Sequence, residues 1–192
     1  MSLTENIPAA VKQLQLKRAF KGNVPDIMDC IETTTDAEFA IADDEECKYS
    51  VIVAAETEDK CCHIHNTEKS EVILLQIDNK LIANRPGGIA DCAIFNTDLF
   101  RFIEFKTNAE GNSQKAISGT YQKASEQLKT TLQLFADKEQ AIGVNFPNII
   151  DTECHIIVSQ LFPRNRTSEQ TLRLSFAADT GTPLSFDNEI NF

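Results

Sequence analysis

Alternating apolar and polar positions predict several β-strands in the middle of the chain. In FRFIEFKT, residues 100–107, Ile103 and Phe105 fall on one face of a strand, and Glu104 and Lys106 fall on the other. IADCAIF precedes this segment and NTDL joins the two, which predicts a strand, a turn and a second strand. KYSVIVAAE and ECHIIVSQLF each predict one more strand. EVILLQIDNKLIANR predicts a hairpin that turns at DNK, so Asp78 is interpreted as a turn residue.

A period of three to four residues predicts helices at other places. KAISGTYQKASEQLKTTLQLFADK forms one long amphipathic helix whose apolar stripe contains Ile117, Tyr121, Ala124, Leu128 and Phe135. IPAAVKQLQLKRAF predicts a helix that ends near Gly22 and Pro25. DIMDCIETTTDAEFAIADDEE predicts a second helix, or a helix with a loop. TLRLSFAADTGTPLSF alternates and turns at DTGTP, which predicts a last strand or two.

This order of elements predicts an α/β (α+β) fold in which helices flank a mixed β-sheet. A chain of 192 residues, 42% of them hydrophobic and 24% charged, can bury one sizeable core. No internal repeat or linker-like segment indicates a boundary between domains. We therefore expect a single domain over residues 1–192, with a helical N-terminal part (1–47), a core (48–162) and a C-terminal β tail (163–192).

Composition limits where the protein acts. No apolar run approaches the roughly 20 residues that span a bilayer, and the first residues lack the apolar core of a signal peptide. We therefore expect a cytoplasmic protein with no membrane contact.

Six cysteines are too sparse for a disulfide scaffold and are expected to be free thiols. The segment CCHIH, residues 61–65, lacks the second ligand pair that structural zinc needs, so it is interpreted as a polar strand or loop edge.

The charge is unevenly distributed along the chain. A formal net charge of -11 argues against a non-specific polyanion binder, because Lys and Arg supply most nucleic-acid affinity. Residues 26–59 contain twelve Asp or Glu and one Lys. We interpret this acidic block as a solvated face; a docking surface for a protein partner and a guard over a basic site are the alternatives. Six basic residues lie within or around the stretch of residues 87–107: Arg85, Arg101, Lys106, Lys115, Lys123 and Lys129.

The two central strands bring acidic residues together. If the turn is centred between Thr97 and Asp98, Asp91 falls directly opposite Glu104, with Cβ atoms about 4.5–5.5 Å apart. Two carboxylates at that distance repel each other unless a positive charge lies between them. Mg²⁺ suits such a pair, because it prefers oxygen ligands and is commonly held by one or two carboxylates plus phosphate. Lys106, on the same face, lies within reach of a water or a phosphate oxygen. An ordinary exposed Glu and Lys pair is the alternative.

These residues resemble the signature of the PD-(D/E)xK nuclease superfamily. That signature is an Asp that opens one strand, an acid-x-Lys on the next strand, and a helix with Gln or Lys near the site. The matching residues are Asp91 in GGIADCAIF, Glu104 and Lys106 in FIEFKT, and Gln127 in YQKASEQL, and the resemblance covers roughly residues 62–162. It implies a restriction-endonuclease-like fold. It also implies Mg²⁺- or Mn²⁺-dependent hydrolysis of phosphodiester bonds, with DNA as the expected substrate, in bacterial defence or a mobile element.

The resemblance also implies a role for each residue. Asp91 and Glu104 would hold the metal together with the backbone carbonyl of Phe105, and Lys106 would orient or help to deprotonate the attacking water. Gln127 would contact the same phosphate or water. Many members carry a further Glu in a helix before the sheet, and the candidates here are Glu32, Glu38, Glu45 and Glu46.

A second functional interpretation remains open beside an active nuclease. The chain is alternatively a catalytically weak or inactive nuclease-fold module that serves as a binding or assembly subunit. The net charge and the unidentified helix glutamate favour this interpretation. A homodimer is a further expectation, because many enzymes of this fold pair up to cut two strands.

Overall fold

Two mixed β-sheets form the centre of the protein. The computed structural model describes residues 7–57, 59–83, 85–109, 113–146 and 148–192. Its α-helices are α1 (Ala9–Gln13), α2 (Leu16–Ala19), α3 (Gln114–Gln140) and α4 (Arg166–Thr180). Its strands are β1 (Ile31–Thr34), β2 (Glu38–Asp44), β3 (Tyr49–Val53), β4 (Cys61–His65), β5 (Val72–Gln76), β6 (Cys92–Phe95), β7 (Leu99–Lys106), β8 (Asp151–Val158), β9 (Leu184–Ser185) and β10 (Glu189–Asn191).

The larger sheet has six strands in the order β1-β5-β6-β7-β8-β9. Strands β1, β5, β6 and β7 pair antiparallel, whereas β7, β8 and β9 run parallel. Parallel neighbours need a long crossover connection, and α3 supplies it between β7 and β8. The smaller sheet has the order β10-β4-β2-β3. The predicted α/β (α+β) class, with a mixed sheet flanked by helices, is confirmed, while the restriction-endonuclease-like assignment stays a prediction.

The larger sheet is buried on both faces. On one face Phe100 and Phe102 pack against Phe135 of α3, and the rings of Phe102 and Phe135 meet edge to face at 5.0 Å between centroids. On the other face Ile103 and Phe105 pack against the smaller sheet. This double burial explains why β7 carries large apolar side chains on both of its faces. The apolar stripe predicted for α3 is confirmed, since all five of its residues are buried.

The predicted helical N-terminal part is wrong over most of its length. The helix expected over residues 7–20 is divided into α1 and α2, because Gln15 adopts a left-handed conformation with φ of 50°. The segment expected to form a second helix instead provides a short 3₁₀ turn, β1 and β2. β-branched residues in IETTT favour a strand, and β1 gains β5 as an antiparallel partner.

The predicted hairpin at DNK is also wrong. The N–H groups of Ile77 and Asp78 both donate to the carbonyl of Asp91, at 3.0 and 3.1 Å. The chain after Asp78 therefore closes into a tight loop, in which Asn79 has φ of 62°. Leu81 and Ile82 are buried, but they enter the core from a loop rather than from a strand. Their apolar side chains made this loop resemble a strand.

The C-terminal β tail is only partly correct. Residues 166–180 form α4, whose first turn is capped by Asn165, since its side chain accepts a hydrogen bond from the Ser168 N–H at 3.0 Å. The helix ends at Gly181, which has φ of 72°. β9 and β10 then follow, as expected after DTGTP. In the described part of the chain no helix is long and apolar enough to cross a membrane, and all six cysteines are free thiols, as expected.

Candidate active site

The register of β6 and β7 brings the predicted acidic pair together. Cys92 pairs with Ile103 and Ala93 pairs with Phe102. One position further along this register, Asp91 lies opposite Glu104, as the sequence predicted. Strand alternation puts Glu104 on the face of β7 that α3 covers. Lys106 lies two positions further on that face, and its Nζ contacts Glu104 Oε1. Three of the predicted site residues therefore lie at adjacent ends of two central strands.

Asp91 is fixed by hydrogen bonds on two sides. Its Oδ2 accepts a hydrogen bond from the Phe105 N–H at 2.6 Å, and its carbonyl accepts from the loop after β5. Burial raises the pKa of Asp91 to about 7, with the Phe105 N–H acting against this and Asp43 adding to it. The backbone thus holds a carboxyl group whose ionisation is unfavourable without a nearby positive charge.

Glu104 is the most enclosed member of the pair, with a side chain that is 1% exposed. Burial raises the pKa of Glu104 well above its ordinary range, the charge of Asp91 raises it further, and Lys106 opposes both effects. Its Oε2 atom is buried and has no hydrogen-bond partner among the described residues. Buried oxygens are usually paired, so this atom is an acceptor whose hydrogen-bonding capacity is unused.

Two carboxylates that the sequence did not single out for the site lie beside this pair. Asp43, near the end of β2, and Asp78, in the loop after β5, interact electrostatically with both Asp91 and Lys106. Partial burial and Asp78 raise the pKa of Asp43, and partial burial raises the pKa of Asp78. Asp78 is therefore more than the turn residue that the sequence indicated. The alternation in EFAIADD was the available signal for Asp43, but this segment was interpreted as helical.

A cavity of about 360 Å³ opens next to Asp91. It is lined by Asp43, Asp44, Glu45, Lys48, Tyr49, Asp78, Asn79, Asp91 and Asn108. Five of these residues are acidic and one is basic. Part of the acidic block therefore lies at the candidate site, beside Lys106.

Gln127 contacts the loop that leads into Asp91. Its Nε2 donates to the carbonyl of Ile89 at 3.1 Å, and its Oε1 is buried without a partner among the described residues. One turn later, Thr131 Oγ1 accepts from the Ala90 N–H at 2.7 Å and donates to the Gln127 carbonyl at 2.8 Å. Sequence reasoning missed Thr131, which carries no signal beyond its spacing of four from Gln127.

None of the four candidates for the additional glutamate of the nuclease superfamily lies on a helix. Glu32 lies in β1 and accepts a hydrogen bond from Gln76 Nε2 at 2.8 Å. Glu38 lies in β2, and Glu45 and Glu46 lie in the turn after it. Neither α1 nor α2 contains an acidic residue. The expectation that one of the four lies on a helix is therefore wrong, because this part of the chain forms strands.

The donor atoms fit a hard divalent cation by their chemistry. Asp91 and Glu104 offer carboxylate oxygens, one of them unpaired, and Mg²⁺ typically completes its shell with waters. Over the described ranges, no three His, Cys, Asp or Glu side chains are grouped in a way that could hold a metal ion. Among the described residues the two carboxylates of Asp91 and Glu104, completed by waters, are therefore the candidate ligands, and the Phe105 carbonyl as a further ligand stays a prediction.

The comparisons with known proteins leave the site to be judged on its own geometry. No protein-family model, curated protein or solved structure matches this chain. The functional argument consequently rests on the positions of Asp91, Glu104 and Lys106.

Proposed function

We propose that this chain is a metal-dependent nuclease of the PD-(D/E)xK type, with a restriction-endonuclease-like fold, that hydrolyses phosphodiester bonds, with DNA as the expected substrate. The observation that carries the proposal is the pairing of β6 with β7, which opposes Asp91 and Glu104 and puts Lys106 against Glu104. A cytoplasmic role in bacterial defence or a mobile element belongs to the same proposal.

The acidic residues would bind the cation. Asp91 and Glu104 would hold Mg²⁺ or Mn²⁺ with the Phe105 carbonyl, and the Phe105 N–H keeps Asp91 oriented at 2.6 Å. When bound, the cation supplies Lewis-acid polarisation of a phosphoryl oxygen and makes a water more acidic. It would also supply a second positive charge beside the paired carboxylates, since among the described residues Lys106 alone is a basic group that opposes the raised pKa of Glu104.

Lys106 would act on the substrate side of the site. Its ammonium group contacts Glu104 and is partly exposed, at 17%, so it is accessible to a ligand. Ammonium groups donate hydrogen bonds to phosphate oxygens and offset negative charge that develops during phosphoryl transfer. We assign Lys106 to orient the attacking water and to stabilise that charge.

The alternative function is a binding or assembly module with weak or no catalysis. The acidic cavity favours it, because Asp43, Asp44 and Glu45 beside Asp91 repel a polyanion and attract a basic partner. In this case the site would bind a protein partner through its acidic surface, and cation binding would not lead to cleavage.

Cleavage assays separate the two functions. Purified protein is incubated with labelled single- and double-stranded DNA and RNA in Mg²⁺, Mn²⁺ or EDTA, and Mn²⁺ binding is measured by calorimetry. Glu104→Gln keeps the shape of the side chain, whereas Glu56→Gln removes a charge from an exposed residue and serves as the matched control. The nuclease proposal expects metal-dependent cleavage that Glu104→Gln abolishes and Glu56→Gln retains.

The possible outcomes lead to different conclusions. Cleavage that persists in Glu104→Gln would show that another protein or another site is responsible. Mn²⁺ binding without cleavage of any of the four substrates would favour the binding module. Absence of both would leave an ordinary globular protein with an ion pair on a strand.

A further inference from the structure

The segment that leads into Asp91 is attached to α3 by side-chain hydrogen bonds. Gln127 Nε2 donates a hydrogen bond to the Ile89 carbonyl at 3.1 Å, and Thr131 Oγ1 accepts one from the Ala90 N–H at 2.7 Å. Thr131 Oγ1 also donates to the carbonyl of Gln127 at 2.8 Å, so both residues belong to one hydrogen-bonded unit. Thr131 is fully buried, and Ile89 and Ala90 are almost fully buried, which excludes water from these bonds.

Asp91 is therefore held from three directions. Its preceding residue is bonded to α3, its own carbonyl accepts from Ile77 and Asp78, and its carboxylate accepts from Phe105. The last two contacts come from the loop after β5 and from β7, and β5 and β7 flank β6 in the sheet. α3 adds a restraint from a helix that packs on the face of the sheet. Without it the chain ahead of Asp91 would be free to move relative to Glu104.

Two glycines show how closely this segment approaches the helix. Gly88 has φ of +80°, and a Cβ atom there would lie 2.8 Å from Gln127 Nε2. Gly87 has a similar φ of +87°, but a Cβ atom there would meet nothing within 4 Å. Gly88 therefore makes room for Gln127, whereas Gly87 serves only the backbone conformation.

We propose that Thr131 and Gln127 are positioning residues, which fix the Ile89–Ala90 segment against α3 and so set the orientation of the Asp91 carboxylate toward Glu104. This inference rests on the proposed nuclease function. The sequence predicted that Gln127 contacts phosphate or water directly. In this inference Gln127 instead acts through the Ile89–Ala90 segment. The positioning role also explains why a threonine hydroxyl lies fully buried on the core side of α3.

Substitution of Thr131 tests the inference from the helix side. Thr131→Val has nearly the same shape but lacks the hydroxyl group, and Thr131→Ser retains the hydroxyl. Residues that orient metal ligands typically change metal affinity by about 10- to 100-fold. We expect Mn²⁺ binding to Thr131→Val, measured by calorimetry, to weaken by about that factor, and kcat to fall more than KM rises. Thr131→Ser should restore both.

Substitution of the glycines tests the inference from the loop side and remains informative if Thr131→Val fails to fold. Gly88→Ala and Gly87→Ala introduce the same methyl group at a positive φ, so their backbone effects match. Gly88→Ala alone displaces Gln127, and we expect it alone to weaken Mn²⁺ binding. Equal Mn²⁺ affinity in the two variants would overturn the inference.

Hydrogen exchange separates this inference from the proposed function. The Ala90 amide should exchange faster in Thr131→Val than in the wild type, because its acceptor is lost. Faster exchange with unchanged Mn²⁺ affinity would overturn the positioning role while leaving the nuclease proposal intact. A wild-type protein that neither binds Mn²⁺ nor cleaves nucleic acid would refute the proposed function itself, and the positioning role with it.

Discussion

Glu139 gives the sharpest prediction about stability. It lies in the last turns of α3, its side chain is fully buried, and neither carboxylate oxygen has a hydrogen-bond partner among the described residues. Burial raises its pKa from 4.5 to about 7. The folded protein therefore favours the protonated form of Glu139 more strongly than the unfolded chain does.

The sign and size of the effect follow from proton linkage. Because the folded pKa is raised, the folded state carries no penalty below about pH 4.5, where both states are protonated. Between 4.5 and about 7 the free energy of unfolding falls by about 1.4 kcal/mol per pH unit, and above 7 the loss is complete at about 3 kcal/mol. This is a large fraction of the total for a small domain, which is about 5–15 kcal/mol.

Glu139→Gln removes the titration while keeping the size of the side chain. Urea unfolding followed by circular dichroism at pH 4 and pH 8 gives the difference between variant and wild type at each pH. Any fixed effect of the amide cancels between the two pH values. We expect the free energy of unfolding of the variant, relative to that of the wild type, to increase by about 3 kcal/mol between pH 4 and pH 8. Glu56→Gln, at an exposed position, should change by less than about 0.5 kcal/mol.

Parallel pH profiles for Glu139→Gln and the wild type would refute the reasoning. They would mean that the carboxylate reaches solvent or a positive partner in the folded protein. A difference of the opposite sign would mean that the charged form is the stabilised one, which the absence of a nearby cation among the described residues does not allow.

Two further predictions concern buried polar contacts. Lys106→Ala leaves Glu104 without its cation and should lower the free energy of unfolding by about 3 kcal/mol without added metal, as measured in urea at pH 7; an unchanged midpoint would show that the ion pair is not formed. Tyr121→Phe removes the hydrogen bond from Tyr121 Oη to Glu169 Oε1, 2.9 Å long, and should destabilise by about 1 kcal/mol. Glu169 keeps its two bonds to Arg164 in that variant, so a loss above about 3 kcal/mol would contradict this account.

The predicted acidic pair could be derived from the sequence because it depends on local geometry. β6 and β7 are joined by a short turn, so the positions of Asp91 and Glu104 follow from counting outward from it. The charged face of β7 was visible in the alternation of FRFIEFKT. The apolar stripe of α3 could also be predicted from local spacing alone. Glu139 follows Phe135 by four residues, so the same spacing could have predicted that Glu139 is buried.

The rest of the site depends on tertiary packing that no local pattern reveals. Asp43 reaches the site because the smaller sheet packs on the larger one, and its segment was predicted as a helix. Asp78 reaches it because two N–H groups of its loop bond to the carbonyl of Asp91, which prevents the hairpin expected there. Local helix and turn propensities were overridden in both cases by pairing between distant segments.

The charges around the site connect the two functional alternatives. Without a cation, Asp43, Asp44, Glu45 and Asp78 of the cavity outnumber Lys48 and Lys106, so a phosphate group approaching the site is repelled and a basic group is attracted. A divalent cation at the pair would reverse this balance close to the carboxylates, because a bound ion is the largest local charge in its site. Under the two proposed functions, the same geometry would favour a basic partner in the metal-free protein and a phosphodiester in the metal-bound one. If the proposed nuclease function is correct, cation binding is therefore expected to come before nucleic-acid binding.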